Sequence, residues 1–509
     1  MGSGMNIEQV KALKAALAGF IDAGRLIDDP LRTLAYGTDA SFYRLIPQLV
    51  VKVRDEAEVS RLLELAQQYR TPVTFRAAGT SLSGQAITDS VLVMLEGDAW
   101  RDYGVSEDAE HIRLQPGIIG AQANRYLAPL GRKIGPDPAS IATCKIGGIA
   151  ANNASGMCCG VTQNSYQTLQ SMRLILADGS VLDTGDVASR EAFAGSHAGL
   201  LNGISKLVAD VKANRPLADR IAHKFKIKNT TGYSLNALVD YEDPIEVLQH
   251  LMIGSEGTLG FIAEITYRTV VEHAHKASAL VFFADVASAC EAVARLKTEP
   301  VDAVEIMDRA ALRSVEDQPG MPAELATLPE GAAALLIETR AGDASGLGEN
   351  ISHILVSLKP VATLGDIAFT DVPKEFDRLW KIRKGMFPSV GAVRELGTTV
   401  IIEDIAFPVP RLAEGTVELQ LLFAKHGYDN AIIFGHALEG NLHFVITPDL
   451  SDATEVRRYH GFMDELCHLV VEKYDGSLKA EHSTGRNIAP YVELEWSAEA
   501  YAPMQRIKA

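Results

Sequence analysis

The chain has 509 residues, a formal net charge of −17 at pH 7 and 22% charged residues, and its mean hydropathy is +0.05. This length predicts two or three domains, and a hydrophobic content of 47% is enough to fill their cores. The acidic balance argues against nucleic acid as a partner, because phosphate binding needs clustered Lys and Arg. No apolar run approaches the ~20 residues of a transmembrane helix, so no membrane span is predicted.

In chain order, residues 1–46 are predicted to form an N-terminal helical segment, of which residues 1–4 (MGSG) are interpreted as a tag remnant. Residues 47–273 form the first predicted domain. It opens with a β-α-β unit, in which the strand LVVKV, the helical stretch VSRLLELAQQY and the strand PVTF lead into a glycine-rich loop. From residue 274 onward the strand ASALVFF, a helical stretch and the strand AAALLIETR predict an α+β domain that extends to residue 509.

The cysteine content and the C-terminal residues give two further expectations. The five cysteines are few and scattered, which favours a reduced, cytoplasmic compartment. The last residues, YAPMQRIKA, lie within a helical pattern and carry no Gly or Pro stop signal. We therefore expect the natural protein to continue beyond residue 509.

Three loops rich in glycine and small polar residues distinguish the first domain. FRAAGTSLSGQ spans residues 75–85, GPDPASIATCKIGGIAANNASG spans 135–156, and IGSEGTLGFI spans 253–262. Glycine permits positive φ and close backbone approach, so that successive N–H groups can converge on an anion. One such loop is more often a tight turn, but three of them at strand ends favour a long polyphosphate ligand. None has the spacing of a Rossmann or P-loop motif.

Two histidines stand within an apolar stretch of the second domain, IIFGHALEGNLHFVI (432–446). The glycines and β-branched flanks disfavour a helix. A hairpin that turns at the Glu-Gly pair would place His436 directly opposite His443, with Cβ atoms roughly 4.5–5.5 Å apart. From that distance both imidazoles could reach one metal ion.

A carboxylate that could complete this metal site follows in GSLKAEHSTGRN. Glu481 is the candidate third ligand, and its neighbour His482 could serve as a free base beside the metal. From spacing alone, buried histidines bonded to backbone are more frequent than a metal pair, so both alternatives stay open at this point.

The glycine-rich loops, with RAAGTSLSGQ, GPDPAS, KIGGIAANNASG and GSEGTLG in this order, resemble the FAD-binding domain of the vanillyl-alcohol-oxidase/PCMH type. The resemblance implies an α+β fold in which two α+β subdomains clasp an extended FAD, followed by an α+β substrate-capping domain with an antiparallel sheet. The first loop would hold the pyrophosphate, the second would run along pyrophosphate and flavin, and the third would close over adenine and ribose. No His or Cys stands in the first loop, so FAD is expected to be non-covalent.

The residues that this resemblance implies for FAD binding come from all three loops. They are Arg76, Ala77, Ala78, Gly79, Thr80, Ser81, Gly84, Gln85, Pro136, Asp137, Ser140, Gly147, Gly148, Asn153, Ser155, Gly156, Gly254, Ser255, Glu256, Gly257, Thr258, Gly260 and Ile262.

GHALEGNLHF and AEHSTGRN resemble the C-terminal domain of FAD-dependent D-2-hydroxy acid dehydrogenases, above all the bacterial respiratory, NAD-independent D-lactate dehydrogenases of the FAD/iron–sulfur type. The resemblance implies that His436, His443 and Glu481 bind a divalent metal, zinc in the first place, with manganese and iron as alternatives. It implies that His482 takes the hydroxyl proton of the substrate.

A third stretch, RLWKIRKGMF, also resembles this family and provides an arginine for the substrate carboxylate. Arg383 occupies that position, and a guanidinium suits the role because it binds a carboxylate through two parallel hydrogen bonds. The further residues proposed for substrate binding are Lys384, Arg394, Asn441 and His482.

The function implied by the resemblance is the oxidation of D-lactate to pyruvate, with hydroxyl deprotonation assisted by the metal and hydride transfer to flavin N5. Electrons would pass to iron–sulfur centres of a following domain or to quinone, in the cytoplasm or at the inner face of the cell membrane. The alternatives are a D-2-hydroxyglutarate dehydrogenase, a 2-hydroxy acid oxidase and a flavin-free binding subunit.

The sequence departs from the family pattern at three places. Ser483 stands where the family usually has glycine, and Glu439 where it often has aspartate. A lysine carried by some members active on 2-hydroxyglutarate is not evident in VIIEDIAFP, which favours a smaller substrate.

Overall fold

The computed structural model describes residues 7–318 and 321–509, so the interpretation of residues 1–4 as a tag remnant lies outside the described residues. Within these ranges the strands form three sheets of four, six and six strands. No helix of the described part is both long and apolar enough to cross a membrane.

The first sheet is the predicted β-α-β unit, extended by two strands. Its order is β1-β2-β4-β3, with β2, β4 and β3 parallel and β1 antiparallel at the edge. The N-terminal segment was predicted to be helical, but it also contributes the edge strand Leu26–Ile27, because Ile27 and Leu26 pair with buried residues of β2. The elements are α1 (Ile7–Leu17), β1 (Leu26–Ile27), α2 (Pro30–Ala35), β2 (Leu49–Val53), α3 (Glu56–Gln68), β3 (Val73–Arg76) and β4 (Val91–Leu95).

The second sheet is antiparallel and is organised around one long strand, β10, which pairs with β6, β7 and β8. The second glycine-rich segment was predicted to be a loop, but it contains the short helix Ile146–Asn152, because Ile146 and Ile149 are buried in the core beside the sheet. The elements are β5 (Tyr103–Val105), β6 (His111–Leu114), α4 (Gly120–Leu127), β7 (Arg132–Ile134), α5 (Ile146–Asn152), α6 (Ser165–Thr168), β8 (Leu169–Leu176), β9 (Val181–Asp183), α7 (Val187–Ser196), α8 (Ala198–Ala213), α9 (Arg215–Lys224), α10 (Ala237–Asp240), α11 (Pro244–Met252) and β10 (Gly260–Val271).

The third sheet is antiparallel with the order β11-β13-β12-β15-β16-β14. Its elements are β11 (His275–Phe283), α12 (Val286–Leu296), β12 (Ala303–Asp308), α13 (Arg309–Arg313), β13 (Ala333–Ala341), α14 (Ala344–Leu358), α15 (Pro373–Val393), β14 (Ile401–Ala406), α16 (Leu412–Lys425), β15 (Ile432–His436), β16 (Asn441–Ile446), α17 (Ala453–His468), α18 (Gly485–Ile488) and α19 (Val492–Lys508). Shorter 3-10 turns lie at Ala23–Arg25, Ala128–Leu130, Ala323–Thr327, Val409–Arg411, Ala437–Glu439 and Ala489–Tyr491, and a π-helical turn at Leu469–Lys473.

Both faces of the third sheet are buried, and this arrangement positions the candidate site. Val304 and Ile306 belong to one hydrophobic cluster, whereas Ala303 and Met307 belong to another that includes residues of α15. Successive side chains of a strand point to opposite faces. A polar residue at the centre of this sheet, such as Glu305 of β12, is therefore held inside the protein, where it needs a polar partner.

Candidate active site

A cavity of about 540 Å³ lies between the glycine-rich segments and the third sheet. Its volume and its largely apolar lining are typical of sites for a cofactor or a small molecule. Gly79 and Gly257 line it at positive φ, which non-glycine residues rarely adopt. The residues proposed for FAD binding that line the cavity are Arg76, Ala77, Ala78, Gly79, Thr80, Ser81, Gln85, Ser140, Gly147, Gly148, Ser155, Glu256, Gly257, Gly260 and Ile262.

The other residues proposed for FAD binding do not line the cavity, and several of them tie the protein segments together instead. The carboxylate of Asp137 accepts hydrogen bonds from the N–H groups of Cys158 and Cys159 at 3.0 and 3.1 Å. The Thr258 hydroxyl lies 2.7 Å from that of Tyr233. The hydrogen-bonding capacity of these groups is therefore used within the chain. The residues that do not line the cavity are Gly84, Pro136, Asp137, Asn153, Gly156, Gly254, Ser255 and Thr258.

The three proposed metal ligands converge at one wall of this cavity. Nε2 of His436 lies 3.0 Å and Nε2 of His443 lies 3.4 Å from Oε1 of Glu481, and the two Nε2 atoms are 3.3 Å apart. Donors about 2.0–2.1 Å from a tetrahedral zinc ion lie roughly 3.4 Å from one another. The spacing and the N,N,O donor set therefore fit one divalent ion, and all three residues are buried.

The electrostatics of His436 also suit a cation at this place. Burial alone would lower the pKa of His436, but the carboxylates of Glu305 and Glu481 outweigh burial and raise its pKa to about 9. The two carboxylates thus stabilise positive charge at the imidazole, and a metal ion bound to its nitrogen could supply that charge in place of a proton.

The hairpin that carries the two histidines differs from its predicted register by two residues. Phe434, not His436, lies opposite His443, because the turn runs from Ala437 through Gly440, which has a φ of +64°. His436 pairs instead with Glu305 of β12. A shift of two residues leaves side chains on the same face, so the two imidazole centroids are still only 5.0 Å apart.

Two buried carboxylates that the sequence reading missed stand behind the histidines. Oε1 of Glu305 lies 2.6 Å from Nδ1 of His436, and Oδ1 of Asp404 lies 3.2 Å from Nδ1 of His443. Such partners orient an imidazole so that its other nitrogen faces the metal. The available signal was a carboxylate within an otherwise apolar strand, as in AVEIMD and IIEDIA.

Asp404 also holds the segment that carries the third ligand. Its Oδ2 accepts hydrogen bonds from the backbone N–H groups of Glu481 and His482, at 2.6 and 2.8 Å. Asn441 was predicted to bind substrate, but it is fully buried and donates from Nδ2 to Oδ1 of Asp404 at 2.7 Å and to the Ile405 carbonyl at 3.1 Å. Asn441 therefore supports Asp404 and does not line the cavity, so the structure gives no support to its predicted role in substrate binding.

His482 lines the cavity next to the cluster. Its ring stacks on that of His443 with centroids 5.0 Å apart, and its Nδ1 has no hydrogen-bond partner among the described residues. Burial lowers the pKa of His482 to about 4, so the imidazole is neutral at pH 7. A neutral imidazole that lines the cavity can accept a proton.

Of the three cations proposed for substrate binding, the structure brings two to the cavity. Nε of Arg383 donates to Oε2 of Glu305 at 2.6 Å, and the terminal guanidinium nitrogens have no protein partner in the described ranges. Lys384 is exposed and also lines the cavity. Arg394 does not line the cavity: this residue caps α15 and donates to the backbone carbonyls of Gly391 and Thr398, so the structure gives no support to its predicted role in substrate binding.

Two family models match the chain. Residues 47–185 match the model described as FAD binding domain, and residues 272–509 match the model described as FAD linked oxidases, C-terminal domain. The first range contains two of the three glycine-rich segments, and the second contains the convergent histidines and Glu481.

Curated relatives are similar over nearly the whole chain. Glycolate oxidase subunit GlcD of Bacillus subtilis is 25% identical over 496 residues, which cover 96% of this chain and 90% of that protein. D-2-hydroxyglutarate dehydrogenase of Escherichia coli is 26% identical over 94% of this chain, but the chain spans only 48% of its length. A mitochondrial D-lactate dehydrogenase [cytochrome] of Arabidopsis thaliana is 26% identical, covering 91% of this chain and 71% of the relative.

Solved structures share the fold at low identity. p-Cresol methylhydroxylase with substrate bound has a TM-score of 0.70 at 12% identity, covering 100% of this chain and 95% of that one. 4-Ethylphenol oxidase from Gulosibacter chungangensis has a TM-score of 0.69 at 14% identity, with coverages of 100% and 96%. These likenesses concern the fold alone, and they confirm the predicted α+β fold of the vanillyl-alcohol-oxidase/PCMH type.

Proposed function

Because the chain belongs to the FAD linked oxidases, with their FAD binding domain followed by their C-terminal domain, we propose that it oxidises a D-2-hydroxy acid to the 2-oxo acid, and D-lactate to pyruvate in preference to others. One observation carries this proposal: the cluster of His436, His443 and Glu481 forms a wall of the same cavity that the glycine-rich segments line. The substrates in the names of its relatives, glycolate, D-2-hydroxyglutarate and D-lactate, are all 2-hydroxy acids.

In this proposal, substrate binding and proton transfer are carried out by different side chains. Arg383 binds the substrate carboxylate through its two terminal nitrogens while Glu305 fixes its Nε. His482 accepts the hydroxyl proton on an imidazole nitrogen. A divalent ion held by His436, His443 and Glu481 supplies Lewis-acid polarisation of the hydroxyl oxygen when bound. FAD, held without a covalent link, supplies the hydride acceptor when bound.

The cavity wall beside the cluster supports a small substrate as the first choice. Ile402 and Phe434 are apolar lining residues, and Arg383 lies over the Phe434 ring at 4.4 Å. Lys384 also lines the cavity, which makes D-2-hydroxyglutarate the second candidate because its additional carboxylate could reach this ammonium group.

A substrate panel tests the proposal. The FAD-loaded protein is mixed anaerobically with D-lactate, glycolate or D-2-hydroxyglutarate, and kcat/KM is measured with an artificial electron acceptor. We expect the highest value for D-lactate. A higher value for D-2-hydroxyglutarate that falls selectively in Lys384→Met would replace D-lactate by the dicarboxylate. Turnover with none of the three would contradict the proposed function.

Arg383→Lys is expected to raise the KM for D-lactate by about tenfold, equivalent to roughly 1.4 kcal/mol. Lysine keeps a cation beside Glu305 but cannot form two parallel hydrogen bonds with a carboxylate. Lys381→Met, an exposed change on the same helix, is the matched control and should leave KM unchanged. Steady-state kinetics give the KM for D-lactate. An unchanged KM in Arg383→Lys would show that Arg383 does not bind the substrate.

We further propose that electrons leave for an iron–sulfur domain or a quinone, in the cytoplasm or at the inner face of the cell membrane. All five cysteines are free thiols, which supports a reducing compartment. Reconstitution with a quinone analogue under anaerobic conditions tests the acceptor, and turnover that requires oxygen would contradict it.

A further inference from the structure

The two oxygens of the Glu481 carboxylate have different partners. Oε1 faces the two histidines, as described above. Oε2 accepts hydrogen bonds from Nζ of Lys228 at 2.7 Å and from Oγ of Ser155 at 3.0 Å. Lys228 is only 3% exposed, and its Nζ also donates to the carbonyl of Gly156 at 3.0 Å.

A buried ammonium group is costly unless an anion and further acceptors satisfy it. Lys228 has one carboxylate within ion-pair distance in the described part of the chain, and that carboxylate is Glu481. The Lys228 ammonium group therefore pairs with Glu481 and not with solvent or with a carboxylate at the surface. Because Ser155 and Lys228 both occupy Oε2, the carboxylate presents a single oxygen to the histidines.

We propose that Lys228 is a positioning residue of the metal site, which holds Oε2 of Glu481 so that Oε1 alone coordinates the ion. This inference rests on the metal site of the proposed function. Ser155 and Gly156 belong to the second glycine-rich segment, so the same contacts also join that segment to the metal cluster. Carboxylates otherwise bind divalent ions through either one or both oxygens.

The chain offers a matched control for this lysine. Lys224 is four residues earlier, is 1% exposed, and forms a buried ion pair with Glu495 at 3.1 Å. That pair includes none of the cluster residues. Lys224→Met therefore reproduces the loss of a buried Lys–Glu pair without changing the partners of Glu481.

The test uses the FAD-loaded protein and measures zinc affinity by competition with a chelator, together with the visible spectrum of the cobalt-substituted protein at wavelengths longer than those at which the flavin absorbs. Lys228→Met should weaken zinc binding about 10- to 100-fold, the usual effect of losing a residue that orients a ligand. Its cobalt spectrum should change, because Oε2 becomes free to coordinate. Lys228→Arg should restore part of the affinity, and Lys224→Met should bind zinc as the wild type does.

The outcomes distinguish the role of Lys228 from the existence of the metal site. Wild-type affinity and an unchanged cobalt spectrum in Lys228→Met would overturn the role of Lys228, as would an equal loss in Lys224→Met. If Lys228→Met does not fold, Lys228→Gln, whose side chain is shorter and uncharged, replaces it, and wild-type zinc affinity with an unchanged cobalt spectrum there would overturn the inference. A wild-type protein that binds neither zinc nor cobalt would instead contradict the proposed metal site itself.

Discussion

His482→Ala is expected to slow anaerobic flavin reduction by D-lactate about 10²- to 10⁴-fold, the usual contribution of a general base. His482 lines the cavity beside the cluster and is not one of its three proposed metal ligands, whereas Nε2 of His436 and of His443 face the cluster. Stopped-flow measurement of the flavin absorbance gives the rate.

Binding provides the internal control for this variant. Asp404 accepts a hydrogen bond from the backbone N–H group at position 482, and alanine retains that group. The Kd for D-lactate, measured from the perturbation of the flavin spectrum, should therefore change little. His460→Ala, at an exposed position, should leave both quantities unchanged. A wild-type rate of flavin reduction in His482→Ala would show that another group takes the proton.

His436→Ala is expected to abolish stable metal binding and to lower kcat/KM for D-lactate by at least about 10³-fold, since polarisation by a metal ion is worth several kcal/mol. The imidazole supplies one of three donors, and its loss leaves Arg383 as the one ion-pair partner of the buried Glu305 carboxylate in the described part of the chain. Metal analysis and steady-state kinetics on the same preparation give the two numbers.

Chelation of the wild type separates metal loss from misfolding. Treatment with a chelator should remove both the metal and the activity, and zinc should restore them. In His436→Ala, added zinc should restore neither. Full activity in a wild-type preparation that metal analysis shows to be metal-free would contradict a catalytic metal.

The local features of this protein could be predicted from sequence, because they depend on neighbours along the chain. A hairpin with its turn at the Glu439-Gly440 pair was enough to place His436 and His443 on one face. This prediction could not give the register, which depends on a turn from Ala437 through Gly440 and on the pairing of His436 with Glu305 of a distant strand. The glycine-rich segments were found by composition, and most of the residues singled out in them line the cavity.

The partners behind the ligands could not be predicted in the same way. Glu305, Asp404 and Lys228 are brought to the cluster by the order of the strands and by the packing of separate segments, neither of which leaves a periodic pattern. Residue type alone does not identify a substrate-binding residue. Asn441 and Arg394 are polar residues near the motifs, but their hydrogen bonds are made within the protein.

One anaerobic titration tests whether bound FAD oxidises a D-2-hydroxy acid. D-lactate or L-lactate is added to the FAD-loaded protein, and the visible flavin absorbance and the 2-oxo acid product are both measured. We predict that D-lactate bleaches the flavin and yields one pyruvate per FAD, while L-lactate does not. A flavin that stays oxidised with D-lactate, glycolate and D-2-hydroxyglutarate, or a protein that binds no FAD, would contradict it.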